Sequence, residues 1–176
     1  MATSEIIIAG FGGQGILSAG KLLAEAGLIE DKNVSWFPSY GPEMRGGTAN
    51  CNIVVSDQPV GSPIINKPNV LIAMNEPSLD KFVDTVVDGG VVIVDSSLIN
   101  KTVDNPNIKF FAIPATSIAT EMGNQAYATI ILLGRLIKET NVVSTDNFEA
   151  ALRAVLPERR HHMIPDNMVA LAKGME

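Results

Sequence analysis

The sequence predicts an α/β fold in three layers, with helices on both faces of a mixed, mostly parallel sheet. Three observations predict it. Residues 5–9 (EIIIA) form a short apolar run that ends in a glycine cluster and leads into an amphipathic stretch, the strand, turn and helix that open a doubly wound sheet. Further apolar runs at 70–74 (VLIAM), 91–95 (VVIVD) and 108–113 (IKFFAI) alternate with segments of helical spacing. Residues 48–56 (TANCNIVVS) follow a loop directly, so this extra strand makes the sheet mixed rather than purely parallel. The architecture is αβα and Rossmann-like.

In chain order, the first strand is short and apolar enough for a buried central position. After the glycine cluster, Ile16, Ala19, Leu23 and Ala26 recur at steps of three and four, giving a helix of three to four turns. Gly20 and Gly27 beside that stripe let the helix approach the sheet closely. Residues 33–37 read as a second strand, and 40–47 (YGPEMRGG) as a loop rich in Gly and Pro. In 48–56, Ala49, Cys51, Ile53 and Val55 share one face and Thr48, Asn50 and Asn52 the other, which predicts a half-exposed strand. A helix starting near Ser78 is expected to close at Gly89-Gly90, between two buried strands. Beyond Ala115 the chain reads as helices over 118–122, 125–138 and 146–155, and a last one after Pro165. No linker or repeat divides the 176 residues, so they are expected to form one domain, 1–176.

Composition excludes several functions. The longest uninterrupted apolar runs are four or five residues, against the ~20 needed to span a bilayer. A net charge of −6 argues against nucleic acid, because phosphate-tracking proteins carry a basic surplus. The one basic patch, Glu158-Arg159-Arg160-His161-His162, reads as a solvated face. A single cysteine excludes an intrachain disulfide, and the first residues lack a signal-peptide pattern, so a cytoplasmic location is expected. Charged residues make up 18% of the chain, against about 25% in a typical soluble domain. Were the chain a subunit, the shortfall would be expected, because surface buried against permanent partners is depleted in charge, and the chain alone would then self-associate.

Gly10-Phe11-Gly12-Gly13-Gln14-Gly15 satisfies G-x-G-x-x-G between a strand and a helix. Glycines there permit a tight turn, and the helix N-terminus offers unpaired N–H groups to an anion such as a phosphate. Nicotinamide and flavin enzymes add an acidic residue closing the second strand, but here that strand ends in Phe37-Pro38-Ser39. A second candidate is Arg45, followed by Gly46 and Gly47, in the loop after the second strand. It would sit at the carboxyl edge of a parallel sheet and add a bidentate contact to a phosphate, or else be an ordinary exposed arginine. Cys51 alternates with apolar residues and reads as a small buried hydrophobe. His161 and His162 have no zinc-type spacing. Asp95-Ser96-Ser97 reads as a cap on the next turn, and Gly123-Asn124-Gln125 offers an N-cap to the longest helix. No nucleophile and base, metal set or carboxylate pair emerges, so the chain is equipped to hold an anionic cofactor but not to run a reaction alone.

GFGGQG with its helix, SYGPEMRGGTANCNIVVS, PNVLIAMNEPSLDKF and ATSIATEMGNQAYATIILLG together resemble the gamma subunit of 2-oxoacid:ferredoxin oxidoreductases, most nearly the 2-oxoglutarate type. The resemblance implies a complex in which alpha and beta subunits, with a delta subunit as a further candidate, carry thiamine diphosphate and 4Fe–4S clusters. Such a complex passes electrons to ferredoxin and releases the acyl group on coenzyme A. The gamma module is associated with gripping coenzyme A. Carried over by position, Gly10, Gly12, Gly13, Gln14 and Gly15 would face its nucleotide end, Arg45 with Gly46 and Gly47 would neutralise a phosphate, and Asn124 would hydrogen-bond nearby. This sequence lacks the cysteine-rich extension fused to some relatives. Two other readings remain at this point, a self-contained NAD(P)- or FAD-binding oxidoreductase and a purely structural scaffold subunit.

Overall fold

The computed structural model describes residues 3–12, 14–39 and 48–176. Gly13 and the 40–47 loop, with Tyr40, Glu43, Arg45, Gly46 and Gly47, lie outside the described residues. The strands are β1 (Thr3–Phe11), β2 (Asn33–Ser39), β3 (Thr48–Ser56), β4 (Val70–Ala73), β5 (Val91–Asp95) and β6 (Lys109–Ile113). The helices are α1 (Ile16–Ile29), α2 (Glu76–Phe82), α3 (Ala115–Glu121), α4 (Tyr127–Thr140), α5 (Thr145–Val155) and α6 (Ile164–Gly174). Short 3₁₀ turns at Val83–Thr85 and Glu158–Met163 precede β5 and α6.

One six-stranded sheet runs in the order β2-β3-β1-β4-β5-β6. β1, β4, β5 and β6 pair in parallel, and β3 is antiparallel to both β1 and β2, as a mixed, mostly parallel sheet requires. Alternation sorts the strands' side chains into two cores. Ile6, Ile8, Cys51, Ile53, Ile72 and Ile93 pack beneath α1, α3, α4, α5 and α6. Ile7, Ala9, Val54, Leu71, Val92 and Val94 meet Leu79 of α2, with Ile65, Val86 and Ile99 from connecting segments. Both faces are therefore covered, but unequally: among the described residues, five helices lie on one face and α2 with its 3₁₀ turn on the other.

Several boundaries differ from expectation for local reasons. α2 ends at Phe82 instead of reaching Gly89-Gly90, because the Thr85 hydroxyl donates to Phe82 O (2.6 Å) and the chain tightens into a 3₁₀ turn. Its start at Glu76 is set by Asn75, whose Oδ1 accepts from Ser78 N at 2.8 Å. α4 begins at Tyr127 rather than 125, because Asn124 Oδ1 accepts from Ala126 N (2.9 Å) and holds the preceding residues in a turn. β3 alternates only as far as Asn52, and Val54 and Ser56 are buried on the second face.

Close packing fixes the helices that frame the carboxyl edge of the sheet. A Cβ on Gly20 would overlap Cys51 Sγ and crowd Trp36, and one on Gly27 would stand 2.9 Å from Val34 Cγ2, so α1 lies directly on β2 and β3. α4 and α6 meet through Gly134 and Gly174, where a Cβ would collide with the Leu171 and Ile131 carbonyl oxygens respectively.

Candidate functional site

β1 delivers the glycine turn to the carboxyl edge of the sheet. Gln14 closes that turn, its Oε1 accepting from Phe11 N at 2.6 Å and its Nε2 donating to Met74 O at 3.4 Å. A Cβ on Gly10 would stand 2.5 Å from Gln14 Oε1 and 2.9 Å from Ile16 Cδ1, so the absent side chain is what lets the turn fold over the strand end. Gly15 then enters α1 with φ 81° and ψ 20°, the left-handed region that glycine occupies without strain. No side chain caps α1 and no acidic residue sits in its first turn, so its N-terminal N–H groups and partial positive charge stay available.

The first turn of α4 stands beside this entrance, with the Thr129 side chain 3.6–3.7 Å from where a Gly15 Cβ would be. Between α1, α4 and the C-terminal elements lies a cleft of about 600 Å³. Gln14, Gly15 and Ser18 form one wall, Gln125, Tyr127 and Thr129 a second, and Arg160, Met163 and Asn167 a third. Ala19, Leu22, Met74, Leu152 and Leu156 make the floor apolar. Among the described lining residues there is no carboxylate, and Arg160 is the sole cation. Burial raises the Tyr127 phenol's pKa above its ordinary value, and the nearby Asp166 charge adds to the rise, so the hydroxyl stays a neutral donor.

Of the sequence candidates, Gln14 and Gly15 line the cleft, and Gly10 lies beneath it as packing. Asn124 is exposed in the turn before α4, with its Oδ1 engaged by Ala126 N, and its neighbour Gln125 is the residue lining the cleft. Ser39 stands across from Asn50 and Thr48 across from Phe11, so both flanks of the 40–47 loop lie at the carboxyl end of β1. β3 inserts antiparallel between β1 and β2, so β2 runs in the same direction as β1 and ends at the same edge of the mixed sheet. Asp95 is fully buried and accepts from Ser97 N, Thr116 N and Thr116 Oγ1, tying β5 to α3 as a cap. Cys51 is fully buried, and desolvation pushes its thiol up to about 12. The described residues contain no cluster of three or more metal-ligating side chains.

The model of the pyruvate ferredoxin/flavodoxin oxidoreductase family matches residues 5–176. The chain belongs to this family. Over 175 residues it is 37% identical to the 2-oxoglutarate synthase subunit KorC of Methanocaldococcus jannaschii, covering 98% of the chain and 92% of that subunit. It is 46% identical over 130 residues to the ketoisovalerate oxidoreductase subunit VorA of Methanothermobacter thermautotrophicus, where the match takes in 74% of the chain but 27% of the longer relative. In three dimensions it superposes on the gamma subunit of a keto/oxoacid ferredoxin oxidoreductase from Geobacter sulfurreducens with TM-score 0.85 and 32% identity, covering 99% and 95% of the two chains.

Within this oxidoreductase family member, sequence reasoning missed Ser18, Tyr127, Thr129, Arg160 and Asn167 as cleft residues. Tyr127 and Thr129 carried a readable signal, since polar groups at the start of an otherwise apolar helix need a reason to be buried. Arg160 carried none, because a short basic run on a polar turn looks the same whether it faces solvent or a cleft.

Proposed function

We propose that the chain is the gamma subunit, a single domain over 1–176, of a cytoplasmic 2-oxoacid:ferredoxin oxidoreductase of 2-oxoglutarate type, and that its cleft binds coenzyme A. The observation that carries this reading is the uncapped start of α1 opening into a cleft that no described carboxylate lines. In a chain of net charge −6, such a site favours an anion. The apolar floor and the volume, within the ~300–1,000 Å³ of small-molecule sites, suit the neutral parts of a nucleotide-containing ligand. Coenzyme A supplies the thiol on which the acyl product leaves.

The chain's own contribution is binding and orientation. The first-turn N–H groups of α1 would hold the pyrophosphate, with Gln14 keeping the turn closed, and Arg45 with Gly46 and Gly47 would reach the ligand from the adjoining loop. Tyr127 and Thr129 would offer neutral donors along the wall. A 4Fe–4S cluster does not fit these residues, since it needs four thiolates and this sequence holds one buried cysteine; thiamine diphosphate is assigned, with the clusters, outside this chain. They belong to the partner alpha and beta subunits, with delta as a further candidate, and ferredoxin accepts the electrons. A self-contained NAD(P) or FAD enzyme is disfavoured because the strand after α1 is separated from β1 by β3 and ends without an acid.

Titrating coenzyme A into the assembled complex and into its Arg45→Ala form tests the reading. Loss of one phosphate contact should weaken binding about 10- to 150-fold. Equal affinity would remove Arg45 from the site, and no binding to either form would refute the coenzyme A assignment.

A further inference from the structure

Arg160 is the one cation among the described residues that line the cleft, and no ion pair among those residues engages it. The chain has an excess of acids, yet Arg160 takes part in none of the four ion pairs among the described residues. It lines a cleft with no described carboxylate. Its backbone, by contrast, is held firmly. Arg160 N donates to Pro157 O at 2.8 Å, the neighbouring His161 ring Nε2 lies 2.9 Å from Leu156 O, and Asn167, itself buried, donates to Met163 O at 2.9 Å. The 3₁₀ turn is thus pinned to α5 on one side and α6 on the other, and α6 is locked to α4 through Gly134 and Gly174. A fixed backbone presenting an unpaired guanidinium over a cleft is what a charge-reading contact needs, since little is lost in ordering it when the ligand arrives.

Resting on the reading of this cleft as a coenzyme A site, we propose that Arg160 is the specificity-determining residue for the ligand's 3′-phosphate. The start of α1 is one anion position, formed from backbone N–H groups, and it suits the pyrophosphate. Coenzyme A carries a second, separate anion, a phosphomonoester on the ribose that bears close to two negative charges at neutral pH. Arg160 stands on a different wall from α1, and its planar fork can bind a phosphate through two parallel N–H···O contacts. The chain then discriminates coenzyme A from 3′-dephospho-coenzyme A, and the glycine turn alone does not.

Calorimetric titration of both ligands into the assembled oxidoreductase, at one fixed salt concentration, tests this with wild type, Arg160→Gln and Arg160→Lys. Wild type should prefer coenzyme A over the dephospho form by about 10- to 100-fold. Arg160→Gln should abolish that preference by weakening coenzyme A alone, and Arg160→Lys should keep part of it, as a point charge without the fork. Arg160 is exposed at the surface, so unfolding midpoints should be unchanged. A wild type without preference, or a preference that survives Arg160→Gln, overturns the proposal while leaving coenzyme A binding intact. Failure of wild type to bind either ligand overturns the coenzyme A reading, and the proposal with it.

Discussion

Replacing Gly15 with alanine isolates the energetic cost of the α1 entrance. The residue sits at φ 81°, ψ 20°, where an L side chain brings Cβ against the following carbonyl at about 1–2 kcal/mol. Contact adds nothing to that figure, because the nearest atoms to the new methyl, on Thr129, lie at 3.6 and 3.7 Å, ordinary van der Waals distance. The penalty is therefore purely conformational. For a chain of 176 residues with an unfolding entropy of about 2.1 cal/mol/K per residue, 1–2 kcal/mol lowers the unfolding midpoint by about 3–5 °C. Asparagine tolerates the left-handed region better, so Gly15→Asn should lose less than Gly15→Ala, although its side chain is larger. The assay is thermal unfolding of the three forms at one protein concentration. An alanine variant as stable as wild type, or an asparagine variant worse than alanine, would refute the strain argument. Space-filling would then be the governing effect.

The remaining two expectations concern titratable groups, one half-buried and one fully buried. Burial works against the charge on Glu30, but hydrogen bonds from the Asn147 side chain and Ser144 N (2.7 Å to Oε2), together with Lys32, outweigh it and hold the carboxyl below its ordinary 4.5. A lowered folded pKa stabilises above the unfolded value and is lost as pH falls through the folded one. Urea titrations should show Glu30→Gln weaker than wild type by about 1–2 kcal/mol at neutral pH, with the gap closing below about pH 4.5; a gap unchanged at pH 3 would contradict it. Cys51, fully buried with its thiol pushed up to about 12, should resist alkylation in the folded protein at pH 8 and react once the chain is unfolded. Labelling of the native protein at the rate of a free thiol, read by mass spectrometry, would show that α1 does not seal against β3.

Local order was legible wherever a feature depends on near neighbours in the chain. The spacing of Ile16, Ala19, Leu23 and Ala26 gives α1, and Gly20 and Gly27 do allow the close approach to β2 and β3 that their size suggested. The alternation in 48–56 shows a strand half turned to solvent, and its failure after Asn52 reflects cover from segments distant in sequence. Strand order was not legible. Nothing in the composition of 33–39 says that it pairs with β3 rather than β1, because side-chain period records which face is buried and not which edge is paired.

The same division applies to the site. By itself the sequence determined the family, the fold class and the glycine entrance to α1, because each is written in contiguous residues whose backbone conformation or spacing is fixed locally. The tertiary structure alone decided that Gln14 is spent on closing its own turn, that Asn124 serves a turn while Gln125 reaches the cleft, and that Arg160 arrives from a distant segment to line the same cleft as Gln14 and Gly15. Those outcomes depend on how α4, α5 and α6 dock. Docking is set by complementary surfaces such as the Gly134 and Gly174 contact, whose two halves are separated in the chain and carry no mark of each other until they meet.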